Sequence, residues 1–216
     1  MPPRRNYQIE MEREIARIHA AGERPLLALH ACCAPCSSAV LERLNADFRI
    51  AVYDYNPNIS PEAEFQHRAQ ELLRLAREMP LSDDLRVEIG PYEPELFYAR
   101  VRGHEHDPEG GERCGICFEL RLRKTAEFAR EIGADYFTTT LSISPLKDAQ
   151  RLNALGERIA REAGVKYLCS DFKKRDGYRR SVALSAEYGL YRQDFCGCAF
   201  SRMERERQRA AAEKAD

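Results

Sequence analysis

The chain has 216 residues, 44% of them hydrophobic and 32% charged, which suits one folded domain with a sizeable core and is too apolar for a disordered chain. Thirty-four Lys and Arg stand against 35 Asp and Glu for a formal net charge of -1, so no overall field draws the protein to nucleic acid or membrane, and an anionic partner must be held by a local patch. The longest apolar stretch, 26–35, is broken by His30 and falls far short of the ~18 residues of a membrane span, which excludes a membrane helix. Gln8, Glu10, Glu12 and Glu14 follow Arg4 and Arg5 where a signal peptide would be apolar. The expected location is therefore the cytoplasm, where eight cysteines read as metal ligands or redox thiols and not as a disulfide framework.

In chain order, the spacing of Ile9, Ile15 and Ile18 among charges predicts an amphipathic helix over 6–21, closed by Gly22. Residues 25–31 form a short apolar run, a strand, and the loop Cys32-Cys33-Ala34-Pro35-Cys36 leads from it into a helix over 37–44. The same grammar repeats: a strand at 48–55, a turn at 56–60, and a helix over 61–79 that Pro80 ends. A third strand is predicted at 85–89. The pattern weakens after Gly90, and a polar loop at 103–113 leads into a helix over 115–132. A fourth strand at 134–141, a helix over 145–163, a fifth strand at 165–169 and a helix over 177–188 follow. Residues 1–200 read as a single α/β domain, and 201–216 as a charged, Ala-rich tail.

Strands alternating with helices specify a doubly wound parallel sheet covered on both faces. Ligands of such sheets bind beyond the carboxyl ends of the strands, near the point where strand order reverses. The chemistry-bearing residues collect at that edge: Cys32, Cys33 and Cys36 after the first strand, Asn56 and Asn58 after the second, Ser142 and Ser144 after the fourth, and residues 171–180 after the fifth.

Seven cysteines fall in three groups, Cys32-Cys33-x-x-Cys36, Cys114-x-x-Cys117 and Cys196-x-Cys198. Two-residue spacers let sulfurs converge, and a bound cation drives them to the thiolate form. Four would saturate a zinc or a four-iron cluster. Seven exceed one such site, so two centres lie close together or some thiols serve redox chemistry; spacing does not decide between these. Whole βα units separate the groups, which disfavours a zinc ribbon. Cys169, alone at the end of a strand, reads as a small core hydrophobe.

The segment Lys173 to Arg180 holds five cations in eight positions, with Phe172 and Tyr178 interleaved. Lys173, Lys174 and Arg179 suit phosphate contacts, and the aromatics can stack a base; an ordinary solvated turn has the same composition. Arg121 and Lys124 share a helix face with Cys117. His104, Glu105, His106 and Asp107 have metal-ligand chemistry but the composition of a plain polar loop. His30 reads as a hydrogen-bonded structural histidine, and Glu64 and His67 as a solvated helix face.

The stretches Leu29-His-Ala-Cys-Cys-Ala-Pro-Cys36, Tyr55-Asn-Pro-Asn-Ile59, Arg113-Cys-Gly-Ile-Cys-Phe118 with Leu120-Arg-Leu122, Thr138-Thr-Thr-Leu-Ser-Ile-Ser-Pro145, Asp171-Phe-Lys-Lys174 with Gly177-Tyr178, and Tyr191-Arg-Gln-Asp-Phe-Cys-Gly-Cys198 occur in one order over roughly 25–201. This ordered set resembles the cobalamin-independent epoxyqueuosine reductase family, QueH. The resemblance implies a nucleotide-hydrolase-like sheet in which Cys-Cys-Ala-Pro-Cys replaces the Ser-Gly-Gly phosphate loop of ATP-dependent tRNA-modifying enzymes. It implies reduction of the epoxide of epoxyqueuosine to queuosine at the tRNA wobble position, with an iron–sulfur cluster of the 4Fe–4S type, an additional iron nearby and an electron donor.

The implied ligands are drawn from Cys32, Cys33, Cys36, Cys114, Cys117, Cys196 and Cys198, without division between two metals. Epoxide removal as water takes two electrons and two protons, and side chains do not deliver electrons singly. Proton donors are sought among Asp171, Tyr178, Asp148 and Asp194. Asn56, Asn58, Thr139 and Arg121 are candidate contacts to the modified base, and Lys173, Lys174 and Arg179 to anticodon phosphates. Competing classes are a thiol-disulfide oxidoreductase and a zinc-dependent tRNA-binding module. Sulfur transfer to tRNA is weakened by the missing ATP loop.

Overall fold

The computed structural model describes residues 5–213; the first four residues of the domain read over 1–200, Arg4 among them, and residues 214–216 of the tail lie outside them. Five parallel strands, β1 (Leu26–His30), β2 (Arg49–Asp54), β3 (Arg86–Ile89), β4 (Tyr136–Thr139) and β5 (Lys166–Tyr167), lie in the order β3-β2-β1-β4-β5. The doubly wound α/β expectation holds. β1 is central, registered from Leu26 on Arg49 to His30 on Tyr53 and, on its other side, with His30 against Thr139. Strand order therefore reverses between β1 and β4, beside the loop that carries Cys32, Cys33 and Cys36.

Alternation along β1 divides the core. Leu27 and Leu29 pack with Ile50 and Val52 against Met11 and Ile18 of α1 (Tyr7–Ala20), Val40 and Leu44 of α2 (Ala34–Leu44), Leu72 and Leu75 of α3 (Glu62–Glu78), and Leu184 of α7 (Gly177–Glu187). Ala28 and Phe137 face the other way, onto Leu122, Ala126 and Ala129 of α5 (Glu112–Glu131) and Ile159 of α6 (Ala149–Ala163). Burying aliphatic residues on both faces of the strands is what fixes a parallel sheet between helical layers. A third cluster joins Tyr53 and Tyr55 to Phe97 of α4 (Pro94–Arg100), to Cys117 and to Cys198.

Several boundaries differ from the sequence reading, each for a local reason. The fourth strand stops at Thr139, whose Oγ1 accepts from Leu141 N at 3.1 Å, and the chain turns into one 3-10 turn, Thr140–Ile143. The helix expected from 145 begins at Ala149, because Asp148 caps it by accepting from Gln150 N at 2.8 Å. The fifth strand has two residues and not five. Beyond it, the Asn153 side chain accepts from Ser170 N and donates to Ser170 O, both at 2.8 Å, and draws the chain off the sheet. α2 starts at Ala34 and α5 at Glu112, three residues early in each case, and residues 199–212 of the expected boundary and tail form α8 (Ala199–Ala212). Residues 94–100, where the pattern is weak, form α4.

Candidate metal centre and cleft

β1 ends in a buried histidine. His30 is fully buried, its Nδ1 2.9 Å from Thr139 Oγ1 and its Nε2 3.2 Å from Tyr55 O. Burial, reinforced by the charge of Arg121, lowers its pKa to about 3, so it stays neutral. It ties three strand ends together beneath the cysteine loop, as a structural histidine does.

Cys33 occupies the N-cap of α2, and Pro35 lies in the first turn, where a missing N–H costs nothing. The Sγ atoms of Cys32, Cys33 and Cys36 all lie within 4.8 Å of one another, with Cys32 and Cys33 3.9 Å apart. A disulfide needs ~2.05 Å. Tetrahedral ligation at ~2.3 Å places sulfurs roughly 3.8 Å apart, so this triad is spaced to share one cation. The Cys33 thiol is held well below its usual range by hydrogen bonds from Cys32 and Cys36 and by the Arg68 charge, and its two neighbours are pushed up. Three thiols converging at a helix N-terminus are ready cation ligands once a metal displaces their protons.

The other four clustered cysteines line a second, smaller cavity together with Asn58, Phe97, Glu109, Arg113, Phe118, Arg121 and Ser201. Cys114 lies in the first turn of α5 and Cys117 one turn on. Gly115 between them leaves room for Arg151, whose Nη2 would stand 1.8 Å from a Cβ there and whose guanidinium donates to Gly111 O and pairs with Glu112. Cys196 and Cys198 flank Gly197, whose φ of +111° favours glycine and where a Cβ would stand 2.9 Å from Arg68 Nη1. Burial raises Cys117 to about 11 and Cys198 to about 12. Buried thiols that resist ionisation alone lose their protons when a metal replaces them.

Above both sets opens a cleft of about 560 Å³, floored by Cys32, Cys33, Cys36 and Cys196 and walled by Arg68, Arg121, Lys147 and Tyr178. Lys147 is buried, with its Nζ 2.7 Å from Glu109 and 3.6 Å from Cys196 Sγ. Although burial opposes the ammonium, the Cys196 and Glu109 charges raise its pKa. Arg121 lines the cleft and the four-thiol cavity alike.

The remaining sequence candidates divide. Asn58 faces the four-thiol cavity, buried, with its Oδ1 unpartnered. Asn56 is 1% exposed and engaged within the protein: its Nδ2 donates to Ala31 O at 2.8 Å and to Asp54, and its Oδ1 accepts from Arg121. Thr139 is likewise spent on His30 and Leu141. Tyr178 stands exposed at the cleft rim. Asp171 does not line that cleft. It accepts from Lys173 Nζ at 2.6 Å and lines an adjoining groove with Arg5, Asp148, Lys173 and Lys174, which meets the cleft at residues 145–147.

Of the cations at 173–180, Arg175 pairs with Glu12 and Arg180 with Glu42, whereas Lys174 and Arg179 have no ion-pair partner among the described residues. Asp194, on the cleft wall, is held by Arg205 and Arg209. Lys124 pairs with Glu127.

Cys169 is half-buried beyond the short strand and directs Sγ toward Glu157 at 3.6 Å; it is not the core hydrophobe expected. Glu64 is not solvated either, since it accepts from the buried Arg68 at 2.7 Å. His104 and Asp107 cap their own loop, Asp107 accepting from His104 and from Arg113 N, both at 3.0 Å. Lys147, Glu109 and Arg68 escaped the sequence reading, because nothing in their neighbours marks a lone Lys, Glu or Arg as facing a thiol.

The fold and site define an all-parallel α/β, cysteine-rich protein with seven thiols in two adjoining sets, of which Cys32, Cys33 and Cys36 could hold a metal ion. The family model described as epoxyqueuosine reductase QueH matches residues 27–204. Proteins named epoxyqueuosine reductase QueH are similar over most of their length. The one from Streptococcus pyogenes serotype M1 is 41% identical over 91% of this chain and 78% of its own, that from Staphylococcus epidermidis 41% over 92% and 85%, and that from Thermotoga maritima 35% over 84% and 93%. The chain belongs to the epoxyqueuosine reductase QueH family.

Proposed function

We propose that this protein is an epoxyqueuosine reductase acting on tRNA: two electrons and two protons convert the epoxide of epoxyqueuosine at the wobble position to the alkene of queuosine, both C–O bonds break, and the oxygen leaves as water. The observation that carries the reading is a three-thiol set sharing one cleft with Cys196, which also belongs to the four-thiol set of the adjoining cavity, in a chain of this family. Cys114, Cys117, Cys196 and Cys198 would hold a 4Fe–4S cluster, for which four convergent thiols and no histidine are the fitting donor set. Cys32, Cys33 and Cys36 would hold an additional iron.

Bound there, these groups supply single electrons from an external donor and a Lewis-acidic position for the epoxide oxygen. The protein does the rest. A cleft of about 560 Å³ admits one nucleobase with its cyclopentane ring and excludes a duplex, so the wobble nucleotide must enter extended from the anticodon loop. Tyr178, at the rim, offers a ring face to the entering base and a hydroxyl proton toward the departing oxygen. Lys147 keeps positive charge beside Cys196. Lys174 and Arg179 are free to meet phosphates, and Asp171 serves by holding Lys173 in the groove. No helix among the described residues is long and apolar enough to cross a membrane, in keeping with a tRNA substrate in the cytoplasm.

The test is turnover. Protein purified and reconstituted without oxygen is incubated with epoxyqueuosine-containing tRNA and a strong reductant, and digested nucleosides are read by mass spectrometry. Queuosine is expected; unchanged epoxyqueuosine with an intact cluster contradicts the proposal.

A further inference from the structure

Arg121 is 2% exposed, one of the largest fully buried side chains of the protein. Its Nη1 donates to Asn56 Oδ1 at 3.1 Å and its Nε to Cys117 O at 3.4 Å, while Nη2 has no partner. Of the buried cations nearby, Arg68 has Glu64 and Lys147 has Glu109, while Arg113 gives its Nη1 to the carbonyls of His104, Glu105 and Asp107. Among the described residues, no carboxylate lies within ion-pairing distance of Arg121. An uncompensated buried guanidinium is strongly destabilising, so the fold tolerates this one only where an anion is close.

The groups that adjoin it on both sides are thiols. Arg121 lines the cleft floored by Cys32, Cys33 and Cys36 and the cavity of Cys114, Cys117, Cys196 and Cys198. Metal-bound thiolates are anions, and the more reduced a centre is, the more negative it becomes. A fixed cation in a low-dielectric setting therefore favours the reduced state, and a guanidinium cannot escape by losing its proton.

We propose that Arg121 is the positive charge shared by the two thiol sets, and that it holds the reduction potential of the centre they bind above the value the thiolates alone would set. The assignment rests on the reading above that these thiols hold a redox-active iron–sulfur centre. Arg121 acts on that centre as a positioning and charge-compensating group, through its unpartnered Nη2, with Asn56 fixing the plane of the guanidinium.

The experiment is a redox titration, by absorbance and electron paramagnetic resonance, of anaerobically reconstituted wild type, Arg121→Gln and Arg121→Lys, with iron and sulfide counted in each. The potential is expected to fall in Arg121→Gln and to lie between the two in Arg121→Lys, which keeps the charge and loses the fixed second donor. Loss of the centre in the Gln variant with retention in the Lys variant also supports the role of charge. Loss in both, or an unchanged potential in Arg121→Gln with a weakened KM for tRNA, overturns it in favour of packing or substrate contact. A wild type with no redox-active centre overturns this assignment and the cofactor reading together. A wild-type centre with the expected shifts but no queuosine formed supports Arg121 and contradicts the proposed function alone.

Discussion

Asn56 Oδ1 accepts a hydrogen bond from Arg121 Nη1 at 3.1 Å, joining the end of β2 to the middle of α5 beneath the two thiol sets. The same amide donates to Ala31 O and to Asp54, so one side chain braces β1, β2 and α5. Removing it strands an acceptor, a carboxyl and a guanidinium in the interior. Asn56→Ala is expected to cost about 3 kcal/mol of stability, read as a lowered denaturant midpoint for the metal-free protein. A change under about 0.5 kcal/mol would show the bracing to be dispensable.

Asp54 gives the protein a pH-dependent stability. Burial raises its pKa to about 7 from an ordinary value of 3.8, against the opposing hydrogen bond from Asn56. Between those values the folded state keeps a proton that the unfolded state releases. Stability contributed by this group is therefore present below about pH 4, falls as pH rises toward 7 and is flat beyond. Asp54→Asn removes that dependence. Its stability relative to wild type should improve from pH 5 to pH 8, by on the order of 2 kcal/mol, in urea unfolding of the metal-free proteins. A difference that does not change with pH contradicts the assignment.

The two glycines within the cysteine pairs should differ in cost. Gly115→Ala meets the far end of the flexible Arg151 side chain, which can swing away and lose its bond to Gly111 O. Gly197→Ala must adopt a φ of +111° against Arg68, a backbone region closed to other residues. About 1 kcal/mol is expected for the first and about 3 for the second, with iron retention falling in the same order. Equal effects would mean that Cys196 and Cys198 reach their positions without that turn.

Neutralising the free cations tests the tRNA face. Lys174→Gln with Arg179→Gln should weaken tRNA binding and reduce the slope of log K against log salt by about 2. Lys173→Gln should do less, since Asp171 already neutralises Lys173 at 2.6 Å. Unchanged binding and slope in the double variant would make the segment ordinary surface.

Much of this was legible in the chain because hydrophobic period and cysteine spacing are local. The first strand, its thiol loop and the following helix stand together in sequence, and the strand-loop-helix order alone placed Cys32, Cys33 and Cys36 at the carboxyl edge of the sheet. What spacing could not give was which cysteines face one another, because that depends on how α5 and residues 189–198 pack across the sheet. Asn56 and Thr139 were visible as polar residues at strand ends, but their hydrogen bonds are spent on Arg121 and His30, partners 65 and 109 residues away. The fifth strand is shorter than its apolar run because Asn153, on a different element, takes the ladder's place at Ser170.

The proposed metal sites divide the seven thiols between two centres, four in one and three in the other, with Cys169 in neither. That division is tested most directly by counting iron and acid-labile sulfide in anaerobically reconstituted wild type, Cys117→Ser, Cys33→Ser and Cys169→Ala. Cys117→Ser should lose the sulfide and most of the iron; Cys33→Ser should keep the sulfide and the cluster's spectrum and lose only the iron in excess of the cluster; Cys169→Ala should match wild type. Equal losses in Cys33→Ser and Cys117→Ser, or a wild type that holds zinc and no sulfide, would contradict the division.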